Sequence, residues 1–158
     1  MAFLAARVQP HTRHSHLNDI IWRAVKRAQI PAVKEPVGLS RDDGKRPDGA
    51  TLIPGARGEA VAWDVTVVDT YTFAQSHIGD TSSLARAAAN HAATLKNSKY
   101  ANITDTNSFV PIAIESGGAW DQQAIEFIQG LGKRISVVAK EPRDIIPIST
   151  VIHGHPTG

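Results

Sequence analysis

The segment KRPDGATLIPGARGEAVAWDVTVVDT, residues 45–70, decides the fold that the sequence predicts. Two apolar segments, 52–54 and 60–70, flank a glycine-bearing turn, and the second is rich in β-branched residues. This pattern predicts a β-hairpin. Because side chains alternate along a strand, one face of the second strand carries Val61, Trp63, Val65 and Val67, and the other carries Ala60, Ala62, Asp64, Thr66 and Val68. We expect the face with Trp63 to be buried against a helix.

Two carboxylates lie on either side of the predicted hairpin turn. Asp64 falls in mid-strand among apolar residues, where a carboxylate is destabilising unless it is paired or binds a metal. Asp48, which follows Pro47 at the mouth of the preceding strand, is the natural second ligand. Two hard oxygen ligands suit Mg²⁺ or Mn²⁺ better than zinc. The alternative is structural, because Pro-Asp-Gly is typical of a turn and Arg46 or Arg57 is near enough in sequence to pair with an aspartate.

Composition limits the class of protein. The chain has 158 residues, of which 42% are hydrophobic, and this is enough for one compact domain with a core. It has no cysteine, so disulfides and thiolate zinc sites are excluded. No apolar stretch is long enough to span a membrane, and the first residues lack the pattern of a secretory signal, so we expect an intracellular protein with no membrane partner. The net charge of +2 and the pI near 9.1 permit nucleic-acid binding without demonstrating it.

The N-terminal part is predicted to be a basic lead-in followed by a helix. Residues 1–14 contain histidines, but their spacing is not that of a zinc site. From Ser15 or His16, apolar residues recur at helical spacing until Pro31 ends the helix. The basic residues Arg23, Lys26 and Arg27 lie opposite the apolar face.

A short strand and a long helix surround the hairpin in sequence. Residues 32–38 are typical of a strand, which carries Glu35. Residues 81–100, with a threonine or serine as the N-cap, contain many alanines and predict a helix. Lys96 and Lys99 share a face near its C-terminal end. Cations there also suit the helix dipole, which is the structural alternative to a catalytic role.

The last predicted elements complete the domain. Residues 108–115 form an apolar segment bounded by polar residues and glycines, which indicates a buried strand, and residues 119–140 have a broad apolar face at helical spacing. The domain therefore extends over 15–140 with the order α-β-β-β-α-β-α. The tail, 141–158, resists assignment.

This order and its motifs carry a resemblance to a known family. The segments HLNDIIWRAV, EPVGLSRDDGKRPDGATLIPG, VAWDVTVVDT, KNSKY and FVPIAIESGGAW resemble a nuclease-like domain found beside reverse transcriptases of non-LTR retrotransposons, which belongs to the PD-(D/E)XK nucleases. The resemblance covers roughly residues 13–140. It implies a restriction-endonuclease-like α/β core, in which helices flank a mixed central sheet. It also implies that the chain is derived from a mobile element.

The resemblance assigns roles to individual positions. Asp48 matches the aspartate of the PD motif, Asp64 the second acidic ligand, and Glu35 the glutamate that often completes the cation site. Thr66 departs from the pattern, which has lysine there. In the retrotransposon enzymes the lysine lies on the following helix, and this matches Lys96 or Lys99.

These residues predict a metal-dependent DNA endonuclease. Carboxylate-held Mg²⁺ or Mn²⁺ activates water for phosphodiester hydrolysis, and a lysine stabilises the developing charge. The candidate DNA-binding residues are Arg13, Arg23, Lys26, Arg27 and Arg46. The resemblance implies a nuclear location and a reverse transcriptase module in a longer polypeptide as partner. One alternative is an inactive nuclease fold that binds nucleic acid or protein, and another, a binding protein for a phosphorylated ligand, lacks a glycine-rich phosphate loop.

Overall fold

A four-stranded mixed sheet with helices on both faces forms the described part of the chain. The computed structural model describes residues 10–52, 60–70 and 86–140. In chain order the elements are α1 (Pro10–Arg27), β1 (Ala32–Lys34), β2 (Gly49–Thr51), β3 (Ala60–Val68), α2 (Ala87–Lys99), a 3₁₀ turn (Ala101–Ile103), β4 (Asn107–Glu115) and α3 (Gln122–Lys140). The predicted order α-β-β-β-α-β-α and the α/β class are therefore confirmed.

The strands lie in the order β1-β2-β3-β4. The first two pairs are antiparallel, whereas β3 and β4 are parallel. A parallel pair needs a crossover, and α2 lies between these two strands in the chain. In the parallel register Val65 is opposite Ile112, and Trp63 is opposite Val110.

The alternation predicted for β3 separates two cores. Val61, Trp63 and Val65 pack in the larger core with residues of α1, β4 and α3, and Trp63 is fully buried. On the other face, Ala62 packs with Tyr100, while alanines of α2 pack against Ala113. Asp64, on the face of Ala62, is thereby directed towards α2.

The first helix begins earlier than predicted. Its first residue is Pro10, not Ser15 or His16, so that residues 10–14 of the predicted lead-in are helical. Proline suits the first helical position because its missing N–H has no partner to lose there. This earlier start places His14 on the helix.

Three further boundaries differ from the prediction. The strand β1 ends at Lys34, because Glu35 has a left-handed φ of 46°. Residues 49–51 form β2, whereas Leu52 follows the strand and 53–59 lie outside the described residues. The helix α2 begins at Ala87, after Arg86 with a φ of 76°, which is later than predicted, and the expected N-cap at residue 81 or 82 lies outside the described residues.

A buried aspartate fixes the start of α3, three residues after the predicted position. Asp121 is fully buried, and its Oδ2 accepts a hydrogen bond from the backbone N–H of Ala124 at 3.1 Å. Its Oδ1 accepts another from Ala113 at 2.7 Å. Burial raises the pKa of Asp121 although these backbone hydrogen bonds oppose the shift. Asp121 thus joins α3 to β4 and has a structural role.

Among the helices that the structure describes, none combines the length and the apolar character needed to cross a bilayer.

Candidate functional site

Asp48 is held at the edge of the sheet by its neighbours on two elements. Its Oδ2 accepts a hydrogen bond from the backbone N–H of Val65 at 2.7 Å and lies 3.0 Å from Nε2 of His14. The side chain of Asp48 is only 14% exposed. Because Val65 follows Asp64 on β3, the bond to Val65 places the carboxyl group of Asp48 beside the second predicted acid.

Asp64 forms an ion pair with a lysine of α2. Nζ of Lys96 donates a hydrogen bond to Oδ2 of Asp64 at 2.5 Å, and the two side chains are 21% and 7% exposed. The packing of α2 against the Asp64 face of β3 brings this lysine to the carboxylate. Lys99 is exposed, and no hydrogen bond between described residues joins it to Asp48 or Asp64. We expected at least one of the two lysines to point at the aspartates, and Lys96 does so.

The two carboxyl groups interact directly. Burial, the negative charge of Asp64 and a side-chain hydrogen bond with Asp64 together raise the pKa of Asp48 to about 6. The hydrogen bond from Val65 and the charge of His14 act in the opposite direction. Two ionised carboxylates at this position are therefore unfavourable unless a cation compensates them.

Tyr100 is a buried aromatic residue next to Asp64. Its ring is 1% exposed and stacks on Phe109 with centroids 4.6 Å apart, and its hydroxyl donates to the carbonyl of Arg46 at 3.1 Å. Burial, and next the charge of Asp64, raise the pKa of Tyr100, so the phenol stays a neutral donor. Nζ of Lys96 lies 6.0 Å from the ring centroid.

An arginine that the sequence analysis did not select lies over the same ring. Cζ of Arg41 is 5.2 Å from the ring centroid of Tyr100, and its Nη2 forms an ion pair with Asp43 at 2.8 Å. The side chain of Arg41 is 12% exposed, so Arg41 is a second cation beside the site. A basic residue in a polar loop gave no signal of this role, because only the fold brings the loop against Tyr100.

His14 also lies at the site, although the sequence analysis placed it in the lead-in before the first helix. Once α1 is extended to Pro10, His14 precedes Leu17 by three residues and Ile21 by seven, so it shares their inward face. The imidazole can therefore reach Asp48 from the end of the core. The helical spacing was the available signal, but the expected start at residue 15 or 16 hid it.

Thr66 occupies the position of the missing lysine. Its side chain lies on the same face of β3 as Asp64, and its hydroxyl oxygen is buried with no hydrogen-bond partner in the described part of the chain. The strand thus presents a carboxylate and an unsatisfied hydroxyl next to each other. A buried hydroxyl of this kind favours a further polar ligand at the site.

Glu35 lies near the site but not where the strand prediction put it. It is exposed beyond the end of β1, and its backbone N–H donates to the carbonyl of Asp48 at 3.0 Å. Its side chain lines a cavity of about 270 Å³ together with Asp48. Arg46, a predicted DNA-binding residue, is held by a hydrogen bond of 3.2 Å from Nη1 to the carbonyl of Glu35.

The other predicted DNA-binding residues lie along the outer surface of α1. There are four of them, all exposed, namely Arg13, Arg23, Lys26 and Arg27. They surround the side of the helix that is not packed on the sheet. A basic surface therefore runs along the helix that also supplies His14.

Asp48 and Asp64 are the two carboxylates that could hold a divalent ion. Within the described ranges, no group of three histidine, cysteine, aspartate or glutamate side chains is arranged to hold a metal. Asp48 and Asp64 nevertheless lie side by side, and burial and the charge of Asp64 raise the pKa of Asp48. Mg²⁺ is often bound by only one or two carboxylates, with water and phosphate oxygens as the remaining ligands. Two residues, and not the expected three, would hold it here.

No protein-family model matches the chain, and no curated protein matches it at a significant level. Its function must therefore be inferred from its own residues.

Proposed function

We propose that the chain is a metal-dependent DNA endonuclease domain with a restriction-endonuclease-like core, derived from a mobile element. The observation that carries this proposal is the hydrogen bond from Val65 that places Asp48 beside Asp64, together with the ion pair between Asp64 and Lys96. Asp48 directly precedes β2, Asp64 lies on β3 and Lys96 lies on α2, and they are separated by 16 and 32 positions in the sequence. The element order and the mixed sheet are further support.

Asp48 and Asp64 would hold Mg²⁺ or Mn²⁺ in this enzyme. When bound, such an ion lowers the pKa of a coordinated water and neutralises charge on the phosphate. Val65 fixes the orientation of Asp48 through its backbone N–H, which leaves the carboxylate little rotational freedom. This preorganisation is what a reaction centre requires, since a displaced ligand reduces the rate strongly.

Lys96 supplies the cation that the usual position on the strand lacks. In phosphodiester hydrolysis a water oxygen adds to phosphorus, and one ester P–O bond breaks as negative charge grows on the phosphate oxygens. The ammonium group of Lys96, held at Asp64, stabilises that charge. Tyr100, whose raised pKa keeps it protonated, and Arg41 border the same space.

The substrate is DNA in this proposal, because exposed basic residues of α1 offer contacts for phosphates. A reverse transcriptase module in a longer polypeptide is the proposed partner. The support is the succession of motifs around Asp48, Asp64 and Lys96, whose side chains are the ones that come together. A nuclear location follows from this proposal, since the DNA target lies there.

Incubation with supercoiled plasmid tests the function. We expect nicked or linear DNA with Mg²⁺ or Mn²⁺, none with EDTA, and none from Asp64→Asn. Absence of cleavage by the folded protein would instead support an inactive nuclease fold that binds nucleic acid or protein. Thr66 in place of lysine and the absence of a third ligand among the described residues are the observations that favour this alternative.

A further inference from the structure

A cavity of about 270 Å³ opens beside Asp48, between the N-terminal half of α1 and the end of β1. It is lined by His14, Ser15, Asn18, Asp19, Lys34, Glu35 and Asp48. At about 30 Å³ for each water molecule, the cavity has room for about nine waters. It therefore adjoins Asp48 and can receive a small planar group.

The lining selects the kind of group that enters. Asp19, Glu35 and Asp48 place three carboxylates around the cavity, of which Asp19 is paired with Lys34, so the lining is rich in hydrogen-bond acceptors and is not an anion site. The same oxygens accept hydrogen bonds from a neutral ligand with N–H donors. Asn18 accepts a bond from Nε1 of Trp63 through its Oδ1 at 3.1 Å, so its amide group has donors left for the ligand. A nucleobase has this mixture of donors and acceptors, whereas a phosphate does not.

An aromatic residue flanked by two lysines continues the path beyond the cavity. Nζ of Lys26 is 4.9 Å and Nζ of Lys34 is 5.6 Å from the centroid of the Trp22 ring, which is half-buried. Lys34 also lines the cavity and bonds Asp19 at 2.6 Å. Proteins that bind single-stranded nucleic acid combine basic groups with aromatic rings, because the bases stack and the cations contact phosphates. The two ammonium groups that lie over the Trp22 ring would therefore turn to the phosphates when a base stacks there.

We propose that the cavity receives one unpaired nucleobase next to the phosphate at Asp48 and Asp64, and that Trp22, Lys26 and Lys34 bind the continuing strand. A base within a duplex is stacked and paired, so it cannot enter the cavity. The preferred DNA therefore has unpaired nucleotides at the cleavage position. This inference rests on the endonuclease function proposed above and adds the structure of the substrate.

Two labelled DNAs test the proposal by fluorescence anisotropy in EDTA, where no cleavage occurs. One is a fully paired duplex, and the other has the same length with an unpaired segment at its centre. We expect the protein to bind the second DNA about tenfold more tightly, the scale of base–aromatic stacking. Trp22→Ala should remove most of this preference. Equal binding of both DNAs by the unmodified chain, or no binding of either, overturns the proposal.

A second variant is independent of the packing of Trp22. Ser15 is exposed at the cavity, so Ser15→Trp fills the opening without entering the core. It should abolish the preference for unpaired DNA, whereas Ser136→Trp at an exposed position of α3 should retain it. If Ser15→Trp keeps the preference, the cavity is not the binding site.

Cleavage measured separately with Mg²⁺ distinguishes this inference from the proposed function. A preference for unpaired DNA that Ser15→Trp removes, without any cleavage, supports the nucleobase site and refutes the endonuclease. Cleavage without such a preference supports the endonuclease and refutes the nucleobase site.

Discussion

The backbone of Gly49 lies so close to the indole ring of Trp63 that a Cβ on Gly49 would be 2.0 Å from Cζ2 of Trp63. The glycine is the first residue of β2 and is opposite Trp63 in the antiparallel register. The role of Gly49 is thus to permit the close approach of its strand to the ring of Trp63. The Pro-Asp-Gly sequence therefore leads into a strand. Because Asp48 precedes Gly49 directly, the same contact fixes the backbone that carries the candidate metal ligand.

Gly49→Ala should therefore be strongly destabilising. The added methyl group would meet a rigid, fully buried ring, so we expect a loss of about 3 kcal/mol in the free energy of unfolding, the upper part of the range for overpacking. Urea unfolding measures this loss. Gly132→Ala on α3 is the matched control, since nothing lies within 4 Å of its added Cβ, and it should stabilise the helix by about 0.5–1 kcal/mol. Equal effects of the two substitutions would show that the contact with Trp63 is absent.

Val65 and Ile112 should behave as one packing unit. They are 2% and 0% exposed and lie opposite each other in the parallel register. Each substitution by alanine should cost about 2 to 4 kcal/mol, and any loss of cleavage should follow from unfolding. Because the residues are neighbours, the double variant should lose a different amount from the sum of the single losses. Small and additive losses would contradict their burial in a common core.

The sequence predicts much of the fold because its periodic patterns are strong. The order of the elements follows from hydrophobic spacing, and alternation assigns Trp63 and Asp64 to opposite faces correctly. The approach of Lys96 was predictable because a helix between two parallel strands must return across the sheet. The convergence of Asp48 on Asp64 was predictable because their strands are neighbours.

Loops and the ends of elements account for what the sequence analysis missed. Glu35 leaves the strand because of a left-handed backbone conformation that its sequence does not indicate. His14 was excluded by an incorrect helix start. Arg41 reaches the site only through a contact with Tyr100 that is distant in sequence. Local spacing cannot reveal such long-range contacts.

Asp48 should make the stability of the metal-free protein depend on pH. Its pKa is about 6 in the fold against an ordinary value of 3.8, so folding favours the protonated form. Below about pH 4 the carboxyl group is protonated in both the folded and the unfolded state and causes no loss of stability. Above about pH 6 it lowers the free energy of unfolding by about 2–3 kcal/mol. Stability should therefore fall through this window as the pH rises.

The matched variant for this pH dependence is Asp48→Asn, whose amide oxygen can still accept the bond from Val65. The free energy of unfolding of the unmodified protein minus that of the variant should decrease between pH 4 and 6, as followed by urea unfolding at each pH. A constant difference over this range would show that the pKa of Asp48 is not raised.

The basic surface of α1 should determine how DNA binding depends on salt. Arg23 and Arg27 are exposed, and each phosphate contact releases counterions when it forms. Replacing either arginine by glutamine should weaken binding at low salt and reduce the slope of log K against log salt by about 1. Lys140→Gln, exposed at the end of α3, should leave the slope unchanged. Binding that does not vary with salt would point to a protein partner for this surface.

Replacement of Lys96 and Lys99 by methionine separates catalysis from metal binding. Both substitutions keep most of the aliphatic stem and remove the charge, but only Lys96 contacts Asp64. Lys96→Met should therefore reduce cleavage by at least about 100-fold, the scale expected when a group that stabilises transition-state charge is lost. Lys99→Met should cleave like the unmodified protein, because its ammonium group is exposed and has no hydrogen bond to either aspartate among the described residues.

The rise in melting temperature on adding Mg²⁺ gives the second measurement for these variants. This rise should persist in Lys96→Met, since the two carboxylates that would hold the ion are still present. It should disappear in Asp64→Asn, where a ligand has been removed. If Lys96→Met cleaves normally, or if Lys99→Met is the inactive variant, Lys96 is not the catalytic cation, and its bond to Asp64 only compensates a buried charge.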